Sequence, residues 1–107
     1  GGGDPMEIAR KYPERIEYVH IKAMDPVIVK QAHDEDWPFV KANLSGASVA
    51  PPAGLPEMKA LIETLADLDK ELYVICEQDM YGCDKDFPYQ NAVDTRLYLA
   101  SLGLGLA

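Results

Sequence analysis

The sequence predicts an α/β fold built on parallel strands. Two runs rich in β-branched and aromatic residues, Ile16–Lys22 and Glu71–Glu77, are each followed by a long helical stretch. The second run, Leu72-Tyr73-Val74-Ile75-Cys76, is nearly all apolar, as a strand buried on both faces of a parallel sheet requires. The connection between them, 23–70, exceeds a simple crossover. It implies an extra helix and loop beyond the C-terminal end of the first strand, where parallel α/β folds bind ligands.

The order is helix, strand, helix, strand, helix, with no internal repeat or low-complexity tract. Asp4-Pro5-Met6-Glu7 opens the first helix, with Asp4 as cap, Pro5 in the first turn and Glu7 completing a capping box; Pro13 ends it. After the first strand, Asp25-Pro26 repeats the start signal for a helix through Gln31, Asp25 serving as its cap. The acidic stretch around His33, Asp34, Glu35 and Asp36 reads as solvated, and a short helix follows from Trp37 to Leu44. Pro51-Pro52 between Gly46 and Gly54 marks a loop. Met58, Leu61, Ile62 and Leu65 then recur at helical spacing. Residues 78–87 form a long loop. Pro88 opens the last helix, with Ala92, Val93, Leu97, Leu99 and Ala100 as its apolar positions and Gly103 as its stop.

A net charge of −8, from 18 acidic and 10 basic residues, argues against nucleic-acid binding, which needs a basic stripe to displace counterions. No apolar run is long enough to span a bilayer, so no membrane partner is expected. Gly1-Gly2-Gly3-Asp4-Pro5 has neither the basic start nor the apolar core of a signal peptide. Cys76 and Cys83 are too few for a disulfide scaffold and read as reduced thiols, so a cytoplasmic location is expected.

Alternation along the strands locates the candidate chemistry. Ile16, Tyr18, His20 and Lys22 share one face of the first strand; Tyr73, Ile75, Glu77 and Asp79 share one face of the second. Both faces run apolar first and turn polar at the C-terminal end. If the strands pair in parallel, the His20 imidazole and the Glu77 carboxylate converge there. Together they are half of a mixed nitrogen–oxygen site of the kind Mn, Co, Zn or Mg occupies. Each also has a plain structural reading: His20 bonding a loop, Glu77 capping a turn. Lys22 can hold a phosphate, a hydroxyl or a developing enolate as a point charge, or simply face solvent. Asp79 either belongs to the site or orders the following loop with Tyr81. Trp37 and Phe39 read as core beneath a loop, and His33 as solvated surface.

Tyr18-Val19-His20-Ile21-Lys22 with Asp25 resembles the seventh strand of the sugar phosphate isomerase/epimerase family of xylose-isomerase-like barrels. Val74-Ile75-Cys76-Glu77-Gln78-Asp79-Met80-Tyr81 resembles its eighth. Gly2-Gly3-Asp4-Pro5, Tyr12-Pro13-Glu14-Arg15-Ile16 and Thr95-Arg96-Leu97-Tyr98-Leu99 match the family's flanks. Within the family, the Glu-Gln-Asp-Met-Tyr stretch most resembles inosose dehydratases. The resemblance implies that residues 1–107 are the C-terminal part of a single (β/α)8 TIM-barrel domain: strands seven and eight with flanking helices. A whole barrel takes about 250 residues.

It also implies one divalent metal held by four side chains, two of them His20 and Glu77. Glu77 would further move a proton beside a substrate carbonyl; Lys22, from its own place at the strand end, is the candidate to bind substrate. The implied activity is isomerisation, epimerisation or water loss through an enediolate on a sugar or cyclitol, in the complete enzyme and not in this stretch alone. Pro26 stands where ketose 3-epimerases carry an arginine, which counts against that branch, and Pro52-Ala53-Gly54 replaces a Gly-Glu-Gly turn. The competing readings are a non-catalytic α/β module for sugar binding or oligomerisation, and an apurinic-site nuclease, which the acidic charge disfavours. Two strands with open edges and an apolar inner face also predict self-association or a missing barrel remainder.

Overall fold

The computed structural model describes residues 3–80 and 82–104. The chain runs α1 (Pro5–Lys11), β1 (Tyr18–Ile21), β2 (Ala23–Met24), α2 (Pro26–Asp34), α3 (Phe39–Leu44), β3 (Ser48–Val49), α4 (Met58–Ala66), β4 (Tyr73–Cys76) and α5 (Phe87–Ser101). Both Asp-Pro pairs start helices. Asp4 Oδ1 accepts the amides of Met6 and Glu7, and Asp25 Oδ1 accepts those of Val27 and Ile28 at 2.8 and 3.0 Å. Glu7 joins its cap through the amide and not the carboxylate, so a plain Asp cap replaces the expected capping box. Pro13 ends α1 and leads into one 3-10 turn, Pro13–Arg15.

β1 and β4 are adjacent and parallel, as the pattern predicts. Tyr18 lies opposite Tyr73, Val19 opposite Val74, His20 opposite Ile75 and Ile21 opposite Cys76. Backbone bonds from the Tyr73 amide to Glu17 O (3.1 Å) and from the Glu77 amide to Ile21 O (2.9 Å) extend the ladder at both ends.

The first strand is shorter than expected because the chain changes partner after Lys22. Ala23 and Met24 pair antiparallel with Val49 and Ser48, inside the stretch 46–54 expected to be loop. A two-residue strand has no periodicity to read. It exists because Met24 exchanges backbone bonds with Leu55 at 2.9 and 2.8 Å and the Asp25 amide bonds Ala47 O at 2.8 Å. Gly54 makes that approach possible: its φ is +82°, and a Cβ there would lie 2.6 Å from Val49 Cγ2 and 2.7 Å from the Met24 carbonyl oxygen.

The core lies on one face of the β1–β4 pair. Ile21 is buried against Ala9 of α1, Leu99 of α5 and the four expected residues of α4, Met58, Leu61, Ile62 and Leu65, with Val19 and Val74 packed at its edge. The last helix departs from expectation. Ala92, Val93, Leu97, Leu99 and Ala100 point around the helix instead of down one side, and Thr95 and Leu99, four apart, are the pair it buries. α3 starts at Phe39 because Pro38 takes the cap position, and it buries Ala42 and Asn43. The opposite face of the strand pair is open: Tyr18 is 59% exposed, Tyr73 69% and Ile75 38%. No helix among the described residues is long and apolar enough to cross a membrane.

Candidate functional site

Parallel register decides which polar side chains meet at the end of the open face. Ile75 lies opposite His20, so Glu77 stands one pleat further along, beside Lys22 rather than level with His20. Both reach it. Lys22 Nζ donates to Glu77 Oε1 at 2.8 Å, and His20 Nδ1 lies 2.7 Å from Glu77 Oε2. Asp79, on the same side two residues on, places Oδ2 2.6 Å from Lys22 Nζ. The ammonium is thus held between two carboxylates.

The charges tune each other. Asp79 first and Glu77 second hold the Lys22 ammonium above the usual lysine range. Lys22 first and His20 second hold the Glu77 carboxyl below the usual carboxylate range. Opposite charges at hydrogen-bond distance favour both charged forms, so the pair is ionised at neutral pH. The sequence-predicted residues His20, Lys22 and Glu77 are therefore brought together, with Asp79 added. Tyr81, the alternative partner for Asp79, lies outside the described residues.

The long connection between the strands supplies residues that periodicity did not mark. Ser48 Oγ accepts the Asp79 amide at 3.1 Å. Asn43, 3% exposed on α3, points Nδ2 toward Asp79 Oδ2 at 3.4 Å; its Oδ1 has no partner among the described residues. Gln78 reaches back to Ser48 O at 3.4 Å and accepts from Asn91 of α5. These contacts tie the loop after β4 to β3 and α3, and so fix where Asp79 stands. A buried polar side chain on a short helix carries no signal in a one-dimensional pattern.

Phe39 corrects the expectation of core. It is 59% exposed, and Lys22 Nζ sits 5.9 Å from its ring centroid. Trp37 is half-buried and held at two points: its indole N–H donates to Glu35 Oε2 at 2.7 Å, and Lys41 Nζ lies 3.9 Å from its ring centroid. Both aromatics line a cavity of about 730 Å³ bounded also by Lys22, Met24, Val29 and Leu55, with His33, exposed as expected, on its wall. Cys76 and Cys83 are free thiols, as read from their number and spacing.

An imidazole nitrogen beside a carboxylate is the donor chemistry that Mn, Co, Zn or Mg accepts. Ligands of one such ion stand about 3 Å or more apart, given metal–ligand bonds of about 2.0–2.2 Å. His20 and Glu77 match in type and place, but their 2.7 Å contact is a hydrogen bond that sharing an ion would open. Among the described residues, no group of three or more His, Cys, Asp or Glu side chains is arranged to hold a metal. The pair supplies one nitrogen and one oxygen donor.

No family model matches the chain. No solved structure matches it. Curated relatives do. Inosose dehydratase of Clostridium botulinum (strain Eklund 17B / Type B) is 32% identical over 100 residues, covering 92% of this chain and 33% of the relative. Inosose dehydratase of Clostridium tetani is 32% identical with the same coverage. That of Geobacillus kaustophilus is 29% identical over 79 residues, 74% of this chain and 26% of its own. The chain spans about a third of the length of the relatives it matches. It is accordingly a homologue of the inosose dehydratases, in keeping with the resemblance carried by its two strand motifs.

Proposed function

We propose that this chain is the C-terminal pair of βα units, strands seven and eight, of a (β/α)8 barrel enzyme. That enzyme is a divalent-metal-dependent sugar isomerase/epimerase or inosose dehydratase working through an enediolate. The observation that carries the reading is the meeting of His20, Lys22 and Glu77 at the C-terminal end of a parallel strand pair, in a homologue of inosose dehydratases. In barrels of this kind, catalytic groups stand at the C-terminal ends of several strands. His20 and Glu77 would hold the metal, Mn, Co, Mg or Zn, together with two side chains from the remainder of the barrel. When bound, the ion supplies Lewis acidity toward a substrate carbonyl.

The chain's own residues account for the proton and the charge. Glu77, ionised at neutral pH, takes the proton from the carbon beside the carbonyl of a sugar or cyclitol. Lys22 donates to the oxygen on which charge develops. While Lys22 bonds Glu77 it also weakens Glu77 as a base. Substrate that draws the ammonium to its own oxygen returns that base strength at the moment it is needed. Asp79 keeps Lys22 from swinging away.

The test uses the segment within a complete barrel, with water loss from an inosose as the readout. Glu77→Gln and His20→Ala are each expected to lower turnover by about 10²–10⁴-fold while leaving the melting temperature within a few degrees. Full turnover in either variant removes that residue from the site.

A further inference from the structure

Two side chains behind the site spend their hydrogen bonds on Asp79. Asn43 is 3% exposed and Ser48 8%; this chain alone buries them, so the rest of a barrel can only bury them deeper. A buried amide or hydroxyl costs stability unless it is hydrogen-bonded, a cost that leucine or alanine would avoid. Both instead reach the loop after β4: Ser48 Oγ accepts the Asp79 amide at 3.1 Å, and Asn43 Nδ2 donates to Asp79 Oδ2 at 3.4 Å. The same Oδ2 lies 2.6 Å from Lys22 Nζ. Ser48 in turn pairs with Met24, two residues past Lys22, and the Gly46 amide bonds Asn43 O at 2.9 Å across the turn that joins α3 to β3. Both ends of the Lys22–Asp79 ion pair are thereby tied to one frame. A pair near the surface is weak when both side chains must be ordered to make it, and here Asp79 is ordered beforehand.

We infer that Asn43 and Ser48 are positioning residues: they touch no substrate, and through Asp79 they hold the Lys22 ammonium at the end of the two strands. In the proposed reaction Lys22 leaves Glu77 for the substrate oxygen. Asp79 is then the carboxylate that still holds it, and a lysine tethered from one side stays directed at the oxygen on which charge develops. That Lys22 serves the reaction rests on the function proposed above; the hold itself rests on these contacts alone.

Two measurements on a complete barrel carrying this segment test the hold. In the first, trace acetylation at neutral pH is mapped by peptide mass spectrometry, with exposed Lys59 as internal standard and no substrate present. Asn43→Ala and Ser48→Ala should each raise Lys22 labelling relative to Lys59 by about two- to tenfold, the worth of one hydrogen bond. On an Asp79→Ala background the same substitutions should add nothing, because the route to Lys22 is already cut. In the second, water loss from an inosose, kcat should fall by about the same factor while KM stays within about twofold, since Lys22 donates to charge that develops in the transition state. Ser48→Ala leaves α3 untouched, so it decides the matter if Asn43→Ala does not fold. Unchanged Lys22 labelling, or an equal rise with Asp79 already removed, overturns the proposal. So does faster labelling with an unchanged kcat. A parent barrel that leaves inosose intact refutes the function proposed above, while the labelling ratio still decides whether Asn43 and Ser48 hold Lys22.

Discussion

The two faces of the β1–β4 pair are both apolar over most of their length, yet only one is core. Ile21, Val19 and Val74 look toward α1, α4 and α5, and Ile62 of α4 is 0% exposed beneath them. Tyr18, Tyr73 and Ile75 look the other way and meet none of the chain's helices closely enough to be buried. Hydrophobicity states which residues prefer to leave water, but covering them takes another element. Helices α1, α4 and α5 pack on one side of the pair, and α2 and α3 contribute nothing to that core. The polar residues that converge lie at the end of the uncovered side, so site and unmet apolar surface share one face.

The largest effect that separates the two faces is on stability. Ile62→Ala should destabilise the chain by about 2–5 kcal/mol, because it leaves a cavity in packed core. This loss should not depend on protein concentration. Tyr73→Ala should show the opposite behaviour. With the residue 69% exposed in the single chain, its effect should appear only where the melt rises with concentration and sedimentation shows association. Equal, concentration-independent losses at both positions would end the distinction between covered and open faces.

A smaller effect probes the connection that brings α3 and β3 to the site. Gly54→Ala should cost about 2 kcal/mol, since its left-handed φ is strained for any side chain and the new Cβ would strike Val49 and the Met24 carbonyl. Denaturant midpoints measure it. A neutral substitution would mean that the Met24–Leu55 pairing is not maintained in solution.

The smallest effect is electrostatic. The Glu77 carboxyl is held low, so its contribution is complete above the usual carboxylate range and is lost as pH falls through its lowered value. The Lys22 ammonium is held high, so its contribution is complete below the usual lysine range and is lost as pH rises through its raised value. The trio should therefore add stability across the neutral range and lose it at both extremes. Both groups are partly exposed, so added salt should shrink the effect. Glu77→Gln should flatten the acid limb of the stability profile; an unchanged limb would detach Glu77 from the cluster.

Much of the site was readable in one dimension because it obeys the shortest period in proteins. Alternation along 16–22 and 73–79 put His20, Lys22, Glu77 and Asp79 on matching faces before any pairing was known, and parallel pairing was implied by the apolar run that ends at Cys76. α4 was equally legible, since four buried residues repeat at helical spacing. The last helix was not: its apolar residues do not line one side, and a threonine supplies half of its buried contact.

Local composition alone determined the helix starts at Asp4 and Asp25, the α4 face and the polar ends of both strands, because each depends on neighbours within a turn or a pleat. Tertiary structure alone decided the rest. The offset of Glu77 to Lys22's side follows from the register, which no single strand contains. The partner change at Ala23, the clamp of Ser48 and Asn43 on Asp79, and the exposure of Phe39 beside Lys22 all come from residues brought together across the long connection. Contacts made at such separation leave no periodic trace, because their geometry is set by what the chain folds against and not by the residues on either side.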